Sequence, residues 1–270
     1  MRVSALIATV VTAALTLTAC GGGADNAANQ EATLRVAVSP VPHAKILNWV
    51  KNNLAASKNL KIEVVEFQDY VLPNTSLVDK QLEANYFQHV PYLTEFLKER
   101  GGDLKFVTPV HIEPLAVFSK KVKNIADLPS GGKVALSQDA SNQTRALKLL
   151  QANGVLKLKP GTEAGAALKD IGENPKNLKF VELEPAQLAR SLDDTDASIV
   201  NGNYAIDAGL DPIKGSLAVE KAENNPYANG LVTRPELAED KRIKALAELL
   251  TSQQTRDYIQ KEFGGAVIPA

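Results

Sequence analysis

Apolar positions along this chain recur with two periods. Residues 34–39 form a short β-type run, Ile46, Leu47, Val50 and Leu54 share one face of a helix predicted over 41–56, and residues 61–67 are strand-like again. Strand, helix and strand at this spacing predict a parallel crossover. A helix is expected from about residue 74, then a strand over 84–88, a helix to residue 100, a strand over 104–110 and an extended segment over 113–118.

After Phe118 the pattern starts afresh. It predicts a short helix at 123–128, a strand at 133–137, a helix over 142–153 stopped by Gly154, a strand at 179–183, a helix at 185–192 and a strand at 197–201. The tail returns as a strand at 231–233 and ends in two helices around 245–250 and 255–263. Two α/β units joined by extended connectors imply two lobes, 34–114 with 220–270 and 115–219, and a cleft where ligands favour binding.

The first residues have a different character. Arg2 precedes an apolar stretch over 3–17 that closes in Leu17-Thr18-Ala19-Cys20, the layout of a signal peptide over 1–19. The run is short for a membrane span, and Cys20 is the only cysteine, so no disulfide can form within the chain. Residues 20–33 are small and polar, as a flexible tether would be. Across 270 residues the formal charge is -1, and no long Lys/Arg run is present, which excludes a nucleic-acid partner held by phosphate contacts.

Candidate chemistry gathers at strand ends. Asn85-Tyr86-Phe87-Gln88-His89-Val90-Pro91-Tyr92 crowds three aromatic rings and a histidine into a chain that is 5% aromatic, just where a strand gives way to a helix. Tyr86 and Phe87 must face opposite sides of the strand, so one of them belongs to the core, and His89 can equally be a hydrogen-bonded structural residue. Ser137 to Arg145 forms a second strand-to-helix turn, where helix amides and the Arg145 guanidinium could hold a carboxylate or phosphate. Arg145 pairing with Asp139 on a solvated helix face is the alternative. Asn201-Gly202-Asn203-Tyr204 offers amide oxygens to an ammonium, or else simply caps a helix.

Together with Val36-Ala37-Val38-Ser39-Pro40, Tyr70-Val71-Leu72-Pro73-Asn74, His111-Ile112-Glu113-Pro114 and Asn174-Pro175-Lys176-Asn177, these motifs resemble the methionine-binding lipoproteins of ABC importers over nearly the whole chain after Cys20. The resemblance implies a two-lobed α/β fold like that of periplasmic binding proteins, each lobe an open, mostly parallel sheet flanked by helices. It implies a side-chain wall of Tyr70, Tyr86, Phe87, His89 and His111, and a head-group site of Asn142, Arg145, Asn201 and Asn203. It further implies a lipid on Cys20, a place on the outer side of a bacterial cell membrane, an ABC permease as partner, L-methionine or a close analogue as ligand, and no cofactor. Where relatives carry a glycine pair before the arginine, this chain has Gln143 and Thr144.

Rival readings are an enzyme using His89 and His111 with Glu113 or Asp69 as a metal or acid-base cluster, a receptor of the same fold for a methionine derivative, a small peptide or a metal, and a purely structural lipoprotein. Catalysis is disfavoured because no histidine pair has helical ligand spacing and no nucleophile elbow occurs. With only His43, His89 and His111 available, a metal receptor would have to recruit carboxylates.

Overall fold

The structure, a computed structural model, describes residues 33–270. The leader, Cys20 and all but the last residue of the tether lie outside the described residues. The chain runs β1 (Leu34–Val38), α1 (Lys45–Asn53), β2 (Ile62–Glu66), α2 (Leu72–Val78), β3 (Ala84–His89), α3 (Val90–Arg100) and β4 (Lys105–Ile112). It continues through β5 (Ala116–Phe118), β6 (Lys133–Ser137), α4 (Ala140–Ala152), β7 (Lys157–Leu158), β8 (Ile171–Glu173), β9 (Lys179–Leu183) and β10 (Ala197–Val200). It ends with α5 (Gly202–Asp207), β11 (Ala218–Val219), β12 (Asn229–Thr233), α6 (Lys241–Leu250), α7 (Gln253–Phe263) and β13 (Ile268–Pro269).

Two main sheets form, ordered β13-β4-β12-β3-β1-β2 and β11-β5-β10-β6-β9, and β7 pairs separately with β8. The chain passes between the main sheets twice, at residues 113–115 and 220–228. That is the two-lobed fold with helices against both sheets. Each sheet is mixed rather than mostly parallel, for a topological reason. Strands β1, β2 and β3 are mutually parallel, as are β6, β9 and β10, whereas β12 lies antiparallel to β3 and β5 lies antiparallel to β10. The last two enter from the opposite lobe, so they begin at the cleft where β3 and β10 end.

Period-two alternation sets the two faces of each sheet. Leu231 joins Val36, Val38 and Tyr86 under α1, α6 and α7, while its neighbour Val232 turns to Leu77 and Leu93 of α2 and α3. Trp49 of α1 stacks on Tyr258 of α7 at 4.7 Å and closes that layer. In the second sheet Leu136 packs with Leu147 and Leu150 of α4, and Ala135 faces Leu188 and Leu192. Strands covered on both faces read as short apolar runs, as Val36-Ala37-Val38 of β1 and Ile199-Val200 of β10 do.

Some local expectations shift. The helix predicted over 41–56 starts only at Lys45, because Val41 is extended (φ -133°, ψ 136°). The helix predicted over 185–192 divides into single turns at Pro185–Gln187 and Arg190–Asp193, and the one at 123–128 shrinks to Ile125–Asp127. Short apolar clusters need only one turn to cover a sheet edge.

The pairing of β12 shifts register around Gly230, where a Cβ would fall inside van der Waals contact of the Thr108 carbonyl and the Phe106 ring. Backbone in the middle of a sheet cannot move aside. Gly230→Ala should therefore cost about 1–3 kcal/mol or more, the usual penalty of overpacking. Urea unfolding should show a lowered midpoint, and an unchanged one would refute the close approach.

Candidate functional site

At the cleft end of β3 the ring of His89 accepts from the Tyr92 amide through Nδ1 at 3.1 Å, capping α3, and Pro91 occupies the first turn where its missing N–H costs nothing. Phe87 turns toward Tyr70 and Tyr92, with ring centroids 5.8 and 6.0 Å away, and the Tyr92 hydroxyl donates to the Tyr70 carbonyl at 2.9 Å. These rings make an uncharged wall. Burial, reinforced by the nearby Arg145 charge, lowers the His89 pKa to about 3, so this histidine is neutral.

The opposite wall is polar. Asp139 caps α4 by accepting from the Asn142 amide at 2.8 Å, so a protein carboxylate already answers that helix end. The side-chain oxygen of Asn142 accepts from Asn201 at 2.9 Å and lies 3.4 Å from Nε2 of His89 across the cleft. The Tyr70 hydroxyl donates to Oδ1 of Asn203 at 2.5 Å, a second contact across the cleft. Oδ1 of Asn201 is buried and has no protein donor among the described residues.

Arg145 is not a solvated helix residue and does not pair with Asp139. Only 4% exposed, it donates from Nε and Nη2 to the Glu220 carboxylate at 3.0 and 2.5 Å, and from Nη2 to the Glu113 carbonyl at 2.8 Å. The Tyr227 ring lies beneath the guanidinium at 4.5 Å. Nη1 is left without a protein acceptor among the hydrogen bonds of the described residues. Gln143 and Thr144 turn away, toward Glu182 at 2.6 Å and the Ala166 carbonyl at 2.9 Å, so their bulk sits behind the helix.

Between these walls is a narrow pocket with a free volume of only about 20 Å³, the two walls being drawn close together. Tyr70, Phe87, His89, Asn142, Arg145, Asn201 and Asn203 all line it. Tyr86 and His111, expected in the same wall, do not. Both are wholly buried on the other face of the sheet, where the Tyr86 hydroxyl meets Nδ1 of His111. Strand alternation explains the correction, since Phe87 takes the cleft face and Tyr86 must take the core.

The sequence reading missed Gln88, Tyr92, Glu113, Gly202 and Asn229 in the lining. Glu113 is the most consequential. Its side chain is nearly buried, and its Oε1 accepts from His111 Nε2 at 2.7 Å and from Asn229 at 3.2 Å. Burial pushes its carboxyl upward, but the hydrogen bond from His111 and the Arg145 charge oppose that, and the carboxyl is held below the usual carboxylate range. Its signal was a glutamate placed directly after a strand end, in a connector between lobes. Gly202 is required beside it, because a Cβ there would sit 2.6 Å from Cβ of Glu113.

Nitrogens of His43 and His111 and an oxygen of Glu113 lie within 4.8 Å of one another, a spacing a divalent metal could use. The hydrogen bond of His111 to Glu113 already occupies two of those three ligands.

The model of the family described as NlpA lipoprotein matches residues 34–270. The methionine-binding lipoprotein MetQ of Bacillus subtilis is 38% identical over 258 residues, 94% of this chain and 93% of that protein. A nutrient-binding protein of Burkholderia cenocepacia, solved bound to methionine, superposes with a TM-score of 0.85 at 39% identity, covering 88% of this chain and all (100%) of the other. A periplasmic substrate-binding protein of an ABC transporter from Coxiella burnetii reaches 0.84 at 37% identity, over 88% and 100% of the two chains. No helix among the described residues is long and apolar enough to cross a membrane.

Because Arg145 and Glu220 form a largely buried pair, with side chains 3% and 16% exposed, Arg145→Ala should lower the stability of the ligand-free protein. Removing one partner of a buried pair costs about 3–5 kcal/mol, and water reaching Glu220 places this case at the low end. Denaturant unfolding of ligand-stripped protein measures it. An unchanged midpoint would show that the guanidinium is solvated.

Proposed function

The chain belongs to the NlpA lipoprotein family, and from that premise we propose that it is the substrate-binding lipoprotein of an ABC importer, with methionine as its ligand. The supporting observation is a single cavity that sets a carboxylate and a guanidinium beside an aromatic wall without charge. An α-amino acid carries its ammonium and carboxylate on one carbon. Arg145 and Glu113 are neighbours in the same sense, linked by Nη2 and the Glu113 carbonyl at 2.8 Å. In this reading the ligand carboxylate meets Nη1 of Arg145, while its ammonium meets Oε2 of Glu113 and the unpartnered Oδ1 of Asn201. Asn142 orients Asn201 and His89, and Asn203 fixes the Tyr70 hydroxyl.

A thioether suits the chemistry of the aromatic wall. Tyr70, Phe87 and Tyr92 present polarizable faces and edges, and neutral His89 adds no charge. Capture requires no bond chemistry, only closure of lobe 34–114 with 220–270 over lobe 115–219, supported by the contacts of Tyr70 with Asn203 and of Tyr204 with the Gln68 carbonyl at 2.8 Å. A lipid on Cys20 would hold the protein at the outer face of the cell membrane within reach of the permease, the polar tether leaving the domain free to dock.

Titration calorimetry on ligand-stripped protein tests the side-chain assignment. Sulfur contacts add only about 0.3–1.5 kcal/mol over a methylene, so norleucine should bind at most about tenfold more weakly than methionine. Glutamate should fail, since its second carboxylate would be desolvated beside aromatic rings. Preference for glutamate over methionine would sink the proposal.

The anchor is tested separately. Cys20→Ser should move the protein from the membrane to the soluble fraction and leave its methionine affinity unchanged. Variant protein still sedimenting with membranes would place the attachment elsewhere.

A further inference from the structure

Behind the cavity wall lies a cluster that a ligand in the cleft does not touch. Glu113 Oε1 can only accept, so the 2.7 Å contact makes Nε2 of His111 the donor. In the neutral ring Nδ1 is then an acceptor, and the Tyr86 hydroxyl is the group placed to donate its one hydrogen to it. The three groups thus form a directed chain, Tyr86 to His111 to Glu113, starting in the core of the first sheet and ending on the cavity lining. Each bond in such a chain polarises the next, most strongly where it ends on a charge.

His43 fixes the rings in place. It meets Tyr86 edge-on at 5.0 Å and His111 at 4.9 Å, and burial lowers its pKa to about 3, so it packs as a neutral ring. With Oε1 taken by His111 and Asn229, Oε2 of Glu113 accepts no hydrogen bond from the described residues and is left for the cavity. A buried carboxylate without these donors would be free to rotate or to take up a proton.

We infer that Tyr86 and His111 are positioning residues, aiming the Glu113 carboxylate so that the cleft selects ligands carrying a protonated amino group. This rests on the reading that Glu113 faces the ligand ammonium. Tyr86 and His111 thereby contribute to specificity from the far side of the sheet, touching the ligand nowhere.

Tyr86→Phe tests the inference, since it deletes one hydroxyl and keeps the packed ring. On stripped protein, affinity is measured for methionine and for its des-amino analogue, the methylthio-substituted butanoic acid. Tyr86→Phe should weaken methionine by about fivefold to tenfold, the worth of one hydrogen bond near a charge, and leave the analogue within about twofold. The double variant Tyr86→Phe with Glu113→Gln should bind methionine no more weakly than Glu113→Gln alone, because the chain then has no charge to aim. Equal losses for both ligands would mark Tyr86 as merely structural, and no loss for either would show the chain idle; both overturn the inference. One equivalent of zinc bound by wild type and lost in His43→Gln would overturn it too, by giving the cluster to a metal. Glu113→Gln that binds methionine as wild type does would instead refute the ammonium reading beneath it.

Discussion

Two opposite charges, Glu113 and Arg145, are taken out of water where the chain crosses between its sheets, and much of the site is arranged to make that tolerable. A buried ion is costly unless its hydrogen-bonding capacity is met. Glu113 is supplied by His111 of β4 and by Asn229 at the start of β12, while Arg145 is supplied from the second crossing by Glu220 and Tyr227. What the protein leaves unmet, Nη1 of Arg145, Oε2 of Glu113 and Oδ1 of Asn201, is what the proposed zwitterion would complete. Satisfying most of each ion internally lets the cleft exist without ligand, and leaving a remainder gives the ligand something to complete.

The aromatic wall follows from the same constraint. A third charge near this pair would disturb its balance, and the one titratable imidazole in the lining is kept neutral by burial and by the Arg145 charge. Its Nδ1 is occupied by the Tyr92 amide, so its Nε2 carries the hydrogen and faces Asn142. One histidine thereby caps α3, helps floor the apolar half of the cavity and reaches the polar half.

The crossovers were legible in the sequence because short apolar runs mark strands covered on both faces and a 3.6-residue period marks the helices between them. Two-residue strands such as β7, β11 and β13 carry no period, and the mixed character of the sheets depends on where the chain crosses, which local pattern does not encode. At the site, seven of the nine expected binding residues line the cavity. Tyr86 lies away from the cavity because a strand sends it and its neighbour Phe87 to opposite faces, and His111 lies on the core side with it, against the Tyr86 hydroxyl. Glu113, singled out only within a motif and a rival acid-base cluster, and Glu220 were given no binding role for a different reason. Each sits in a connector, where neither periodicity nor a motif separates a carboxylate that faces water from one that faces a guanidinium.

The placement of Glu220 bears on how ligand occupancy could reach the whole molecule. Its backbone amide donates to the Leu115 carbonyl at 2.8 Å and its carboxylate accepts from the Leu115 amide at 3.3 Å, stitching the two crossings together. The same carboxylate holds Arg145, which also binds the Glu113 carbonyl in the first crossing. Any relative rotation of the lobes must flex residues 113–115 and 220–228, and both are bonded to one guanidinium. A carboxylate arriving at Nη1 adds a further anion to a group already anchored to both crossings, so its binding energy acts directly on the segments that must bend. Tight binding and lobe closure are then two expressions of one set of hydrogen bonds, and no longer-range path between site and hinge is needed.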